Sequence, residues 1–551
     1  MKLTDDRNRI TLHIIPQDPW DTPDPVPVKV QGGLLPGPVG SRIAVFDYNR
    51  DRDEVYESAA PRQDGTFPEY DVSDLRFHQL NAYAIAARAV ELVEMELGRE
   101  LRWGFDASRL ILLPHAGYLD NAFYSEDTHS LQFYSFIPPD LSEIFHTSLS
   151  HDVVAHEVGH AILDSVRDRF SVGLDLETAA LHEAIGDLTT IFAGMSHSIV
   201  ITQAADNMAS PNLVSKIAEH FMGHRHPLRD LLAEPQPESY WETQISPHAR
   251  SLKLTRAIYA ALHALQADRM STGMNSSAAL RLALKALQRM VVRAIDYLPP
   301  ADANYNDYAQ AILVSDRFAN PDDRFGFRKI VEQVLGDHGV LTDTKYPGES
   351  SGLWPHRPAN WPNLTLGDAY RFLDQNRKKL ALSRFAQYRD FVVRDLQSTI
   401  SPSKRPRSSK IASNKTQSPV RPPKDDEVEQ VIMVYDYPVE VELKGKEFGP
   451  SAGQWISIWG GGTLVFDAEG RLRHHAQKPV TKKRVKQVIN FLRFGVASGQ
   501  VQPIEATFED ELRQHQFVQP WMLALSHDKA VLRTNPAARC RPTQDDEGRP
   551  T

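Results

Sequence analysis

The stretch Asp152-Val153-Val154-Ala155-His156-Glu157-Val158-Gly159-His160 sets two histidines four residues apart within an apolar run that reads as helix. At that spacing side chains share one helix face, with Cβ atoms about 5–6 Å apart. Two imidazoles so placed can both reach one Zn²⁺ at about 2.0–2.1 Å. Glu157 points about 100° away from His156, so it can lie beside the metal and hold a water without ligating. In a chain of this composition such a motif arises by chance about one time in twenty. It needs company to mean anything.

Company stands downstream, in Leu181-His182-Glu183-Ala184-Ile185-Gly186-Asp187-Leu188, again helical in pattern. A hydrolytic zinc needs a third protein ligand and an open fourth position, and Glu183 can be that ligand. Asp187, one turn later on the same face, can accept the second N–H of a ligand histidine, an acceptor that metal-bound histidines nearly always have. His182 is the rival ligand, but it points elsewhere if Glu183 and Asp187 face the metal.

Together the two segments resemble the thermolysin-like zinc metallopeptidases of the gluzincin group, and the likeness spreads over roughly residues 120–340. Asn121-Ala122-Phe123-Tyr124 resembles that family's edge segment, which implies that Asn121 and Ala122 hold the substrate main chain. Leu228-Arg229-Asp230 resembles the stretch whose arginine binds a substrate carbonyl and steadies the third ligand, which implies that role for Arg229. His248-Ala249-Arg250-Ser251 resembles the entry to the helix carrying a second catalytic histidine, and Phe327–Val340 resembles the closing helix. The resemblance implies one zinc per chain on His156, His160 and Glu183, with Asp187 behind them and Glu157 as general base. His248 would donate to the oxyanion. The fold implied is α+β, a two-lobed zincin catalytic domain with a strand-rich first lobe, a helical second lobe and the zinc helix on the floor between them.

The departures from the family are specific. The acids expected after the third ligand are missing from Phe192-Ala193-Gly194-Met195-Ser196-His197-Ser198, which argues against a tight calcium site and leaves Asp152 as a helix-end charge. The family's oxyanion tyrosine has no counterpart, Phe170 standing nearest. Glu242 is the nearest acid to orient His248. Relatives are exported with an inhibitory pro-segment, whereas Met1–Arg7 carries acids where a signal peptide needs an apolar core. The expected location is therefore cytoplasmic, with no pro-segment apparent.

Composition narrows the rest. The chain has 551 residues, a prior of three or four domains. Its 62 basic against 71 acidic residues give −9, so no overall basic field points to nucleic acid. No run approaches 18 apolar residues, which excludes a membrane-spanning helix. Cys540 is the sole cysteine, so no intramolecular disulfide forms.

Residues 1–150 read as the strand-rich lobe with one long helix capped by Asp74, and 151–341 as the helical lobe carrying the zinc ligands. Residues 342–396 read as a helical extension and 397–427 as a Ser/Pro/Lys linker too polar to order itself. Residues 428–500 alternate like a small β-rich module with a hairpin turn at Asp467-Ala468-Glu469-Gly470, and 501–551 read as a largely irregular tail. Few packed contacts are expected across the linker.

The leading expectation is a zinc metalloendopeptidase acting on polypeptides, with Trp455 and Trp459 forming the small module's core or else recruiting a protein partner or covering the cleft. A retired peptidase scaffold that only binds proteins would have no need of Glu157. An aminopeptidase would need an acidic anchor for the substrate amine, and no Gly-x-Met-x-Asn-like stretch supplies one.

Overall fold

The computed structural model describes residues 8–343, 366–395, 429–503 and 521–534 together with Pro358, apart from residues 139–140, 171–173, 220, 222–226, 234–235, 245, 381, 384–385, 468, 500 and 527–528. The architecture is mixed α+β, strand-rich before residue 150 and helical from there to Asp337, with a larger sheet after that. Among the described residues no single helix is long and apolar enough to cross a membrane.

Near the N-terminus, strands Arg9–Ile14 and Val26–Gln31 pair antiparallel. A four-stranded sheet follows in the order Ile43–Val45, Leu110–Leu113, Ser130–Phe133, Ala122–Ser125. Its last strand runs antiparallel to its neighbour, with Ala122 opposite Phe133, and forms the edge.

Helix α1 (Leu75–Leu97) packs against both sheets. It begins where the Asp74 carboxylate accepts from the Arg76 amide, and it ends at Gly98, whose φ of 68° suits glycine. Helix α2 (His151–Arg167) is capped by Ser150, which accepts from the Val153 amide. Helix α3 (Leu176–Gly194) is capped by Asp175. The helix Pro247–Ser271 has a Ser246 cap with proline in its first turn. One continuous apolar core runs from Leu12 and Val30 through α1, α2 and α3 to Val331 and Leu335.

α2 and α3 cross in close contact, and glycine allows it. A Cβ on Gly159 would come within 2.8 Å of the Gly186 Cα, and a Cβ on Gly186 would meet the His156 ring at 2.7 Å. Real Cβ atoms do not approach so closely, so any side chain there would force the helices apart or turn the ring.

Past residue 342 the structure corrects the expectations in three places. Among the described residues the extension is helical at Leu366–Gln375, whereas Gln387–Asp395 is a strand. Its Phe391-Val392-Val393 run suits a pleated surface as well as a helix face. Pairing decides, with Phe391 opposite Met433 and Val393 opposite Val431 in the strand Glu429–Glu442. The tail is not irregular throughout either. Val501–Pro503, Trp521–Ser526 and Lys529–Thr534 join the same sheet, which also contains Trp455–Phe466 and Leu472–Lys478. The hairpin turn closes at Asp467, which accepts from the Gly470 amide at 2.9 Å.

The third correction concerns independence. The linker (residues 397–427) lies outside the described residues, but the sheet beyond it is packed onto the helical lobe. Ile432, Val434 and Val465 belong to the main core. Leu443, Phe448 and Ile456 share a second apolar cluster with Leu174 and Ala179. Polar bonds accompany them. Thr463 Oγ1 donates to the Leu298 carbonyl at 2.6 Å, the Tyr297 hydroxyl donates to Gln430 at 2.6 Å, and Lys478 pairs with Asp307 at 2.8 Å. The Arg169 guanidinium lies 3.8 Å from the ring centre of Trp459. Trp455 is 48% exposed, so it is not core.

A chain ending after Asp395 should therefore fail as a free-standing unit. It would leave Gln387–Asp395 without its partner strand and strip an apolar face from the main core. Its solubility and thermal midpoint, measured beside the full chain, should both fall, and an unchanged midpoint would restore the picture of loosely tethered modules.

Candidate metal centre

The site forms where α2, α3 and the start of the helix Pro247–Ser271 converge. The helical spacing of His156 and His160 brings their rings to 4.7 Å between centres, nearly perpendicular. One ring nitrogen of each and a carboxylate oxygen of Glu157 all lie within 4.8 Å of one another. From α3, Glu183 reaches in. Its Oε2 is 3.4 Å from His156 Nε2 and its Oε1 is 3.9 Å from His160 Nε2. Two ligands bound tetrahedrally at about 2.0–2.1 Å stand about 3.3–3.4 Å apart, so this donor set suits a zinc ion with modest adjustment at His160.

Around these donors the carboxylates are held from behind. Asp187 Oδ1 sits 3.1 Å from His156 Nδ1, while its Oδ2 accepts from Thr255 at 3.2 Å and Ser251 at 3.4 Å. Arg229, on the two-residue strand Arg229–Asp230, places Nε 3.7 Å from Asp187 and Nη2 4.0 Å from Glu183. His248 Nε2 stands 3.0 Å from Glu183 Oε2. Glu157 is buried, and its Oε2 accepts the Tyr124 backbone amide at 2.8 Å. That bond ties the edge strand Ala122–Ser125 to the floor of the site. Asn121 and Ala122 lie at the start of that strand, both buried, with the Ala122 amide donating to the Asn121 side chain at 2.9 Å.

Charge follows this geometry. Burial alone would strip the proton from His156, but hydrogen bonds to Asp187 and Glu183 outweigh it and hold the imidazole up to about 10. Burial likewise pushes against the Glu183 charge, and His248, His160 and His156 overcome it, keeping the carboxyl well below its usual range. A cavity of about 20 Å³ opens beside His156, Glu157, Asp187 and Arg229, room for about one water.

Of the residues singled out from the sequence, His156, Glu157, His160, Glu183, Asp187, Arg229 and His248 come together from α2, α3, the strand Arg229–Asp230 and the start of the helix Pro247–Ser271, with Asn121 and Ala122 at the neighbouring strand edge. His182 does turn away. Its ring stacks on His160 at 4.6 Å and its Nε2 pairs with Asp164 at 3.0 Å. Asp152 is corrected from a helix-end charge to a buried strut, accepting from the Gln17 side chain at 2.8 Å and the Ala218 amide at 2.9 Å. Phe170 is buried. The side chain of Glu242 lies outside the described residues. What the sequence reading passed over is Gly186, although the Ala-Ile-Gly-Asp order displays it in plain view. Without a Cβ it leaves the space that the His156 ring fills.

No known protein family matches the chain, and no curated protein matches it. Among solved structures, the precursor of protealysin, a metalloproteinase from Serratia proteamaculans, is similar at 18% identity with a TM-score of 0.38, over 57% of this chain and 90% of its own.

Replacing Gly186 with alanine should displace the His156 ring and weaken the binding of a divalent metal at this centre about tenfold or more, given the usual cost of forcing atoms into a packed site. Zinc affinity measured by competition with a chelating dye would show it. Gly336→Ala, where a Cβ meets nothing within 4 Å, serves as the silent control. Equal affinities would mean the ring can step aside.

Proposed function

We propose that the chain is a zinc-dependent metalloendopeptidase with a thermolysin-like two-lobed catalytic region. One observation carries the reading: His156, His160 and Glu183 converge at ligand spacing while Glu157 stands beside them and Asp187 braces His156 from behind. Two imidazoles and one carboxylate are a zinc donor set that leaves a position open for chemistry. Bound there, zinc would acidify a water and polarise a peptide carbonyl.

The remaining steps belong to the protein. Glu157 accepts the proton lost from the attacking water and passes it to the leaving nitrogen. The Tyr124 amide orients that carboxylate and in doing so fixes its distance from the edge strand. An extended substrate adding to that strand would lie across the site, the β-augmentation mode of peptide recognition. His248 Nε2, at the rim of the donor triangle, donates to the carbonyl oxygen as charge develops on it. Arg229 holds Glu183 and Asp187 in register.

Glu157→Gln should keep the metal of this centre and lose about 10²–10⁴ in turnover of an unfolded protein substrate. His160→Ala should lose both the metal of this centre and turnover. Full metal retention in that variant would sink the ligand assignment, and undiminished cleavage by the Glu157 variant would sink the general base.

His248→Ala should also keep the metal, and lower kcat about 10²–10³-fold with little change in KM, as a contact made in the transition state does. Steady-state kinetics on a quenched fluorescent peptide would read the split. A rise in KM alone would make His248 a substrate-binding group instead.

A further inference from the structure

A second cluster of histidines stands apart from the centre above and shares no residue with it. His78 lies in the first turn of α1, His115 two residues beyond the strand Leu110–Leu113, and His146 on the strand Phe145–His146. His78 and His115 are buried and His146 is half-buried. One ring nitrogen from each lies within 4.8 Å of the other two. The ring centres are 5.0, 4.8 and 5.6 Å apart.

One nitrogen of each ring is engaged by a neighbour other than these histidines. His78 Nε2 is 3.0 Å from the Val72 carbonyl, which can only accept, so that nitrogen carries the hydrogen. His115 Nδ1 is 2.9 Å from both oxygens of Asp47, which as a carboxylate likewise only accepts. His146 Nδ1 bonds the Ser135 hydroxyl at 2.8 Å. In a neutral imidazole the other nitrogen then bears a lone pair. His78 Nδ1 and His115 Nε2, the two lone-pair nitrogens, face each other at 2.8 Å. Two lone pairs do not attract. Something positive belongs between them.

We propose that His78, His115 and His146 form a second metal site, for a divalent transition ion of the zinc class. Three imidazoles are a zinc-type donor set. The carbonyl, the carboxylate and the hydroxyl behind them are the kinds of acceptor that fix the tautomer and raise the basicity of ligating histidines. Opening the 2.8 Å gap to the roughly 3.3 Å that a tetrahedral ion needs takes a shift of about half an ångström. The competing occupant is a proton shared between His78 and His115 and balanced by Asp47. It uses only two of the three rings, and leaves the third, His146, without a reason to turn towards the pair. The site's place suggests its work. His146 lies four residues before Ser150, the cap of α2, so an ion here pins the entry to the motif helix against α1 and the end of a sheet strand.

Cobalt(II) is the probe, on full-length protein first stripped with chelator. The wild type should take two equivalents, His146→Gln one, His160→Gln one, and the double variant none. Asp47→Asn should weaken the second equivalent about 10–100-fold, as losing the acceptor behind a ligand does. Cobalt should raise the thermal midpoint of His160→Gln and leave that of the double variant unmoved. Equal cobalt counts for wild type and His146→Gln would hand the cluster to the shared proton. A wild-type count of one that falls to zero in His160→Gln overturns the proposal even where His146→Gln does not fold. Loss of the second equivalent alone leaves the reading of the first centre intact, because the two sites are counted through different histidines.

Discussion

Everything at the metal centre depends on how closely α2 and α3 approach. Ligating side chains on two helices can meet around one ion only if the backbones cross near the ligands, and here Gly159 faces Gly186 at the crossing. The contact places His156, Glu183 and Asp187 within hydrogen-bonding range across the interface. Close packing at native density leaves little play, so the donors are held by the core itself and not by loops.

A second layer of support comes from outside that helix pair. Asp187 joins α3 to three other parts of the chain: His156 of α2, Arg229, and Ser251 and Thr255 of a later helix. A buried carboxylate is costly unless it is engaged, and here Oδ2 accepts from two hydroxyls while Oδ1 faces the His156 ring at 3.1 Å. The same logic applies to Asp152, which ties α2 to Gln17 from the first strand region and to Ala218. Buried acids in this protein act as fasteners between segments remote in sequence.

How much of this the sequence displays follows from how local each signal is. His156, His160, Glu183 and Asp187 are legible because their geometry repeats every turn of a helix, and a single-sequence reading can apply that period. The cap Asp74 is legible because its carboxylate serves an amide only two residues on. The strand Gln387–Asp395 was not, because Gln-Tyr-Arg-Asp-Phe-Val-Val-Arg-Asp takes its conformation from a partner more than thirty residues away. The strands Trp521–Ser526 and Lys529–Thr534 escaped in the same way. The packing of the late sheet on the helical lobe rests on Thr463, Gln430 and Ile432, which carry no signature of their own. His78, His115 and His146 lie on three separate elements with no motif spacing, so only the fold brings them together.

The packing of that late sheet has a temporal side. Ala179, on the same face of the chain's traffic as Glu183 and only four residues before it, is buried against Leu443 and Ile456. On a ribosome adding about 5–20 residues per second, α3 emerges well before those neighbours exist, by tens of seconds at the slower rates. During that interval the helix bearing the third donor has one flank uncovered. The segment carrying Leu443 and Ile456 thus acts as a clock on the assembly of the centre, because that flank closes only when residues far along the chain from Ala179 have been made.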